Sequence, residues 1–404
     1  MDLRRVAVPE RDVPSDPVLL DAIRSEIATG GPMTFARFME IALYDPARGY
    51  YRGATARPGR AGDFLTAPEA SPIFGRTIAR FALAVHAAIG APGTYTIREH
   101  GAGTGALARP LVEALLAAAT GAAATGPATT GAATTGPATT GPAAVEYRVA
   151  EVEPARLAAV RASLAGLAGA SVEPDDGRPI DGLIVANEVL DALPTHRVVQ
   201  RDGTLREILV DVGPDGALVD READPSTPDL AARLAAESIE FEDGQVAEIC
   251  LAVDDWMARA AAGLGRGVLL LLDYGHPASD LYDPRRRAPG TLATYLGHTV
   301  GEDPYRAIGR QDITAHVDVT AVERAAARAG LDHLATTTQA ELLSLLGAGD
   351  LLVAEQTRPG ANLQTYLETR SALVRMIDPG AMGRFRVMVF GRGLPATVAL
   401  PGLG

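Results

Sequence analysis

The chain has no lysine. All 37 of its Lys/Arg positions are arginine, against 50 Asp and Glu, for a net charge of −13. Acidity on that scale repels phosphate backbones, which excludes nucleic acid as a main partner and leaves basic proteins and cationic small molecules open. There is one cysteine, Cys250, so an intrachain disulfide and a cysteine zinc cluster are both excluded. It sits in the apolar run AEICLAV and reads as a buried structural thiol. The seven histidines are scattered without ligand spacing, so no metal is implied. The first residues, MDLRRVAVPERDVPSD, lack the apolar centre of a signal peptide, and the run Val268–Leu272 is far too short to span a bilayer. No membrane partner is expected, and a cytoplasmic location is.

What is present is an ordinary globular composition, 47% hydrophobic and 22% charged over 404 residues, enough for one large core with appendages or for two domains. Residues 1–90 read as a mainly helical region, with helices over Asp16–Thr29 and Thr34–Leu43 and a long segment from Thr66 to Ile89. The Tyr/Gly-rich loop between them suits a lid. Residues 91–195 alternate strand and helix: strands at Tyr95–Glu99, Tyr147–Glu151, Ala170–Glu173 and Asp181–Ala186, helices at Ala106–Ala119 and Ala155–Leu167. Residues 196–260 hold a hairpin over His196–Val219 with a DG turn, which either extends the sheet or covers the active site. Residues 261–404 return to the core through the strand Gly267–Asp273. Helices follow at His316–Gly330, Gln339–Leu346 and Leu363–Ile377, then a last strand at Arg384–Phe390. Repeated βαβ units imply a doubly wound, Rossmann-like α/β sheet with ligands at the carboxyl ends of its strands. One tract interrupts it: Thr120–Ala144 contains GPATT GAATT GPATT and has too little bulk or charge to form a core, so it reads as a surface insertion.

The first strand runs into E-H-G-A-G-T-G, Glu99 to Gly105, ahead of an amphipathic helix. The glycines alone fit a nicotinamide dinucleotide, since Ala106 is tolerated at the third glycine of G-x-G-x-x-G, but no Gly-Lys-Ser/Thr follows and a P-loop is excluded. Glu99 discriminates further. A carboxylate repels pyrophosphate at a helix N-terminus, whereas S-adenosylmethionine (SAM) brings a sulfonium and an ammonium. A ribose acid is expected about 20 residues after the loop. Glu151 lies 46 residues past Gly105, and subtracting the 25 residues of Thr120–Ala144 leaves 21. Glu151 is therefore the ribose candidate, with Glu153 as its competitor. SAM is the cofactor so implied, held by Glu99, Gly101, Gly103, Gly105 and Glu151.

The candidate chemistry lies in IVANEVLDALPTH. A buried strand delivers Asn187 and Glu188 to the sheet's carboxyl edge, with Asp191 three residues on. If the chain turns helical there, Glu188 and Asp191 share a face and could hold a cationic acceptor and take its proton. The alternative is that Asn187 and Asp191 only cap a turn. In GRAGDFLTAPEASPIFG, Thr66 and Glu69 match a capping box, which leaves Gly62, Asp63 and Phe64 unexplained in a loop that suits a lid.

Taken in order, these segments resemble the MidA family of class I SAM-dependent methyltransferases. The resemblance is carried by FxExALYDPxxGYY (Phe38–Tyr51), GDFLTAPE (Gly62–Glu69), the glycine loop, the strand ending at Glu151 and ANEVLDALP (Ala186–Pro194). LLDYGH (Leu271–His276) and GRQDITAHVD (Gly309–Asp318) add to it. The resemblance implies SAM at Gly101, Gly103, Gly105 and Glu151, and an active site lined by Asp63, Glu188 and Asp191 with Asn187 alongside. His316 would lie beside it, as a possible base or a structural residue. The family's mitochondrial members dimethylate an arginine of a partner subunit. Here His100, Ala102 and Thr104 depart from the family's usual E-L-G-P-G-R-G loop, whose glycines are kept; the lost arginine, and the phenylalanines missing around Val189–Leu190 and Val319, leave a protein arginine and a small metabolite both open as acceptor, by nitrogen or oxygen. A homodimer is compatible with this reading. The rivals are a non-catalytic assembly factor that keeps the SAM site, and a nicotinamide-dependent oxidoreductase.

Overall fold

The computed structural model describes residues 13–52, 65–121, 140–151, 153–357, 360–395 and 400–403. Gly62, Asp63 and Phe64, and the repeat up to Thr139, lie outside the described residues. Contacts divide the chain into two compact units.

The larger unit, Thr66–Val189, Asp254–Gly275 and Ala321–Gly404, contains a seven-stranded sheet. Its strands are β1 (Thr94–His100), β2 (Ala144–Ala150), β3 (Ala170–Pro174), β4 (Ile180–Asn187), β5 (Leu264–Asp273), β6 (Asp332–Thr338) and β7 (Arg386–Arg392). Their order is β6-β7-β5-β4-β1-β2-β3. Every pairing from β3 to β5 is parallel, and β7 runs antiparallel to both β5 and β6. This is the doubly wound order with one reversed strand inserted before the last edge. The apolar runs of β4 and β5 are buried on both faces, as central parallel strands must be. Two glycines let these backbones meet: a Cβ on Gly182 would lie 2.0 Å from the Thr96 carbonyl oxygen, and one on Gly267 1.9 Å from that of Gly182.

Helix α1 (Ile73–Ala88) buries Phe74, Ile78, Phe81 and Val85, and α2 (Ala108–Ala119) buries Leu111, Val112 and Leu115. Each such side chain contributes roughly 1.5–3 kcal/mol. The single segment expected over Thr66–Ile89 is broken at Ser71, which is extended (φ −165°, ψ 143°) because Pro72 follows it. A short helix, Ala67–Ala70, precedes the break.

The other unit gathers Met1–Leu65, Leu190–Val253 and His276–Thr320. Its helices Pro17–Gly30 and Phe35–Tyr44 belong to a core with Leu19, Ile23, Phe38 and Val210. The hairpin expected at His196–Val219 forms between His196–Arg201 and Thr204–Val212, with Asp202 and Gly203 both at positive φ in its turn. It does not extend the seven-stranded sheet. Its strands pair instead with Val246–Ile249, Leu218–Ala223 and Met33–Thr34, while β4, whose chain leads into it, already has both edges filled by β5 and β1. The helix expected from His316 begins only at Val319, because Val317–Asp318 is still extended as a short strand.

Candidate active site

The edge of the sheet where β1, β2, β4 and β5 end holds the residues in question. Beyond His100 the chain passes through Gly101 (φ 67°), Gly103 (φ 54°) and Gly105 (φ 76°), left-handed conformations that glycine adopts without steric cost. A Cβ on Gly101 would come within 2.7 Å of Val189 Cγ2, and one on Gly105 within 3.1 Å of Val160 Cγ2. The loop is pinned by its amides. Gly101 donates to the Ala150 carbonyl (3.2 Å), Gly103 to Glu151 Oε2 (3.2 Å) and Gly105 to the Ala102 carbonyl (2.8 Å).

Among the described residues, three carboxyl groups lie by this loop, each in a different setting. Glu99, at the end of β1, is 4% exposed and accepts from the Tyr147 hydroxyl at 2.7 Å. Burial pushes its carboxyl up to about 7, opposed by that hydrogen bond and reinforced by the charge of Glu151. Glu151 follows β2 directly, against Gly103, with the Arg156 guanidinium 3.8 Å away. Glu153 is employed otherwise, as the N-cap of the helix Pro154–Leu164, accepting from the Ala155 amide. The third is Glu69, outside the set chosen from sequence. Its Oε1 accepts from the Thr104 hydroxyl (3.0 Å), while its Oε2 accepts from the Thr66 amide (3.3 Å), the capping-box contact, and also from the Thr66 hydroxyl (3.0 Å). Burial holds its carboxyl above the usual range.

At the end of β4, Asn187 Nδ2 donates to Glu188 Oε1 (2.9 Å). Asn187 Oδ1 is buried without a partner among the described residues. Glu188 itself stands at φ +53°, a strained setting for a side-chain-bearing residue. Two contacts with β5 hold it there: the Glu188 amide donates to the Leu272 carbonyl (2.8 Å), and the next amide, Val189, donates to Asp273 Oδ2 (3.1 Å). Asp273 is 1% exposed, and its other oxygen takes the Tyr274 amide (2.9 Å). Sequence reasoning passed over Asp273, although an acid ending a second buried strand was the available signal.

The helical turn that would have put Glu188 and Asp191 on one face does not form. After Glu188 the chain makes a bend and a turn closed by Leu193 donating to Leu190, because a left-handed residue cannot start a helix and Pro194 stops one. Asp191 belongs to the smaller unit, where it is buried and its carbonyl accepts from the Ala315 amide (2.9 Å). There the Tyr51 hydroxyl, stacked beside Tyr44, donates to Asp312 (2.7 Å), and the charges of Asp312 and Asp191 add to burial in raising the Tyr51 hydroxyl. His316 opens no helix; its amide donates to Thr291 Oγ1 (3.1 Å), and its ring lies 5.5 Å from that of His276. Asp63 lies outside the described residues.

This edge fits SAM. Its loop of bare, left-handed backbone is followed just past β2 by Glu151, a residue type able to accept hydrogen bonds from ribose hydroxyls, and carries no lysine for a phosphate. Fold and loop thus define a class I SAM-dependent methyltransferase. A family model described as "Putative S-adenosyl-L-methionine-dependent methyltransferase" matches residues 135–337, half of the chain. The chain belongs to that family, the MidA type of SAM-dependent methyltransferase. It is 34% identical to a "likely methyl transferase" from Burkholderia thailandensis solved with S-adenosyl-homocysteine. The match covers 94% of this chain and 93% of that one at a TM-score of 0.80. Among curated proteins it is 26% identical, over 94% of this chain and 86% of the other, to the Drosophila melanogaster homologue of the mitochondrial protein arginine methyltransferase NDUFAF7. The Danio rerio protein of that name is 25% identical over 76% of this chain and 72% of its own.

Proposed function

We propose that this methyltransferase transfers the SAM methyl group to a guanidine nitrogen of an arginine in a partner protein. The observation that carries the reading is Glu188, a carboxyl side chain fixed on strained backbone at the sheet edge and hydrogen-bonded by Asn187. A planar cation suits such a carboxylate, and so do relatives named as protein arginine methyltransferases. In the transfer, nitrogen attacks the methyl carbon in line, the carbon–sulfur bond breaks and S-adenosylhomocysteine leaves with the electron pair. The nitrogen's surplus proton passes to Glu188 and from there to water. The protein's task is to align the two substrates, exclude water and accept that proton.

The test is incubation with methyl-labelled SAM against an arginine-rich peptide set, a cell lysate and a metabolite extract. Label is expected in protein and, after hydrolysis, in methylarginine. Label confined to the metabolite fraction would replace the arginine reading with a small-molecule acceptor.

A further inference from the structure

The capping box at Thr66 and Glu69 accounts for only one oxygen of Glu69. Oε2 receives the Thr66 amide and hydroxyl; Oε1 reaches 35 positions along the chain to the Thr104 hydroxyl, between the second and third glycines of the SAM loop. The two flanking glycines, Gly103 and Gly105, are both left-handed, so nothing in the local backbone preference holds this stretch in one shape. On one side, Glu151 takes the Gly103 amide; on the other, Glu69 takes the Thr104 hydroxyl. Arg156, 3.8 Å from Glu151, also bears electrostatically on Glu69 and balances the two acids.

We propose that Glu69 is a positioning residue for the cofactor: it latches the SAM loop through Thr104 and keeps the loop backbone in the one shape that the ligand meets. Glu69 need not touch SAM in this role. The latch stabilises the binding-competent loop, so its loss weakens SAM and S-adenosylhomocysteine equally, raises the KM for SAM and leaves kcat at saturation unchanged. The assignment is independent of what the acceptor is.

Calorimetric titration of the full-length protein with SAM and with S-adenosylhomocysteine tests it. Glu69→Ala and Thr104→Val should each weaken both ligands roughly tenfold, the worth of one hydrogen bond to a charged group. The double variant should be no weaker than about twentyfold, because both changes remove the same contact. Glu69→Gln should stay within about threefold of wild type, its amide nitrogen donating to Thr104 while its oxygen serves the cap. Thr66→Val, which damages the cap and spares the latch, should lower the unfolding temperature without changing affinity. The proposal is overturned if the single effects multiply toward a hundredfold, or if Gln is as weak as Ala, which would mean the charge acts on the ligand itself. It is equally overturned if Glu69→Ala lowers only the unfolding temperature.

Discussion

Glu188 combines two properties that seldom coincide without a function: a polar side chain at the sheet edge and a backbone angle, φ +53°, that costs of order 1–3 kcal/mol. If that strain serves to aim a proton acceptor, stability and activity should separate on substitution. Glu188→Gly is expected to raise stability by about 1 kcal/mol in denaturant titration while abolishing turnover. Glu188→Gln should keep both the fold and SAM affinity and lose about a hundredfold or more in kcat. A Gly variant that is less stable would show that the side chain is structural. Glu99 makes a different residue-scale case. Its folded carboxyl sits near 7, above its unfolded value, so the folded state holds the proton longer. Below about pH 4.5 both states are protonated and nothing is lost. As pH rises toward 7 the unfolded chain alone releases its proton, stability falls, and above 7 the full penalty, on the order of 3 kcal/mol, is in place. Glu99→Gln should therefore flatten the stability profile between pH 5 and 8, measured by denaturant midpoints. An unchanged slope would place the titration elsewhere.

At the scale of elements, the glycine loop is a steric fit between β1, the chain after β4 and the helix Pro154–Leu164. Gly101→Ala adds a methyl 2.7 Å from Val189 Cγ2 at a positive φ. It should destabilise the unit by a few kcal/mol and weaken SAM, and Val189→Ala in the same chain should restore part of the stability but not the φ cost. No recovery in the double variant would mean that backbone strain alone decides. The same elements show how far the sequence could be read. The apolar runs of β4 and β5, the glycine loop and the 21-residue spacing to Glu151 carry local, periodic signals, and β1 to β5 fell within a few residues of where those signals put them, whereas the polar β6 carried no such signal. Pairing does not carry such a signal. That the His196–Val212 hairpin joins Met33–Thr34 rather than β4 depends on contacts more than 160 positions apart. The turn after Glu188 was misjudged for a related reason: Asp273 on β5, not the local sequence, takes the Val189 amide. Glu99 could be placed from sequence but not its protonation, which is set by burial in the folded sheet against the opposing hydrogen bond from Tyr147, 48 positions away.

For the molecule as a whole the governing quantity is charge. A net −13 with every basic group an arginine gives a field that attracts cations over a distance of about one Debye length, ~10 Å at 0.1 M salt and ~3 Å at 1 M. If the acceptor is an arginine presented in a basic segment, that field raises its local concentration and its association rate but contributes nothing to the transfer itself, which occurs after docking. Salt should then act on KM and not on kcat. Between about 0.05 and 0.5 M sodium chloride the KM for an arginine-rich peptide is expected to rise several-fold, with kcat at saturation within about twofold. SAM carries its charges close together and meets a loop built of backbone, so its affinity should change little over the same range. A KM for peptide that ignores salt would argue against a cationic protein acceptor. A fall in kcat with salt would instead point to an ionic contact made only as the methyl group moves.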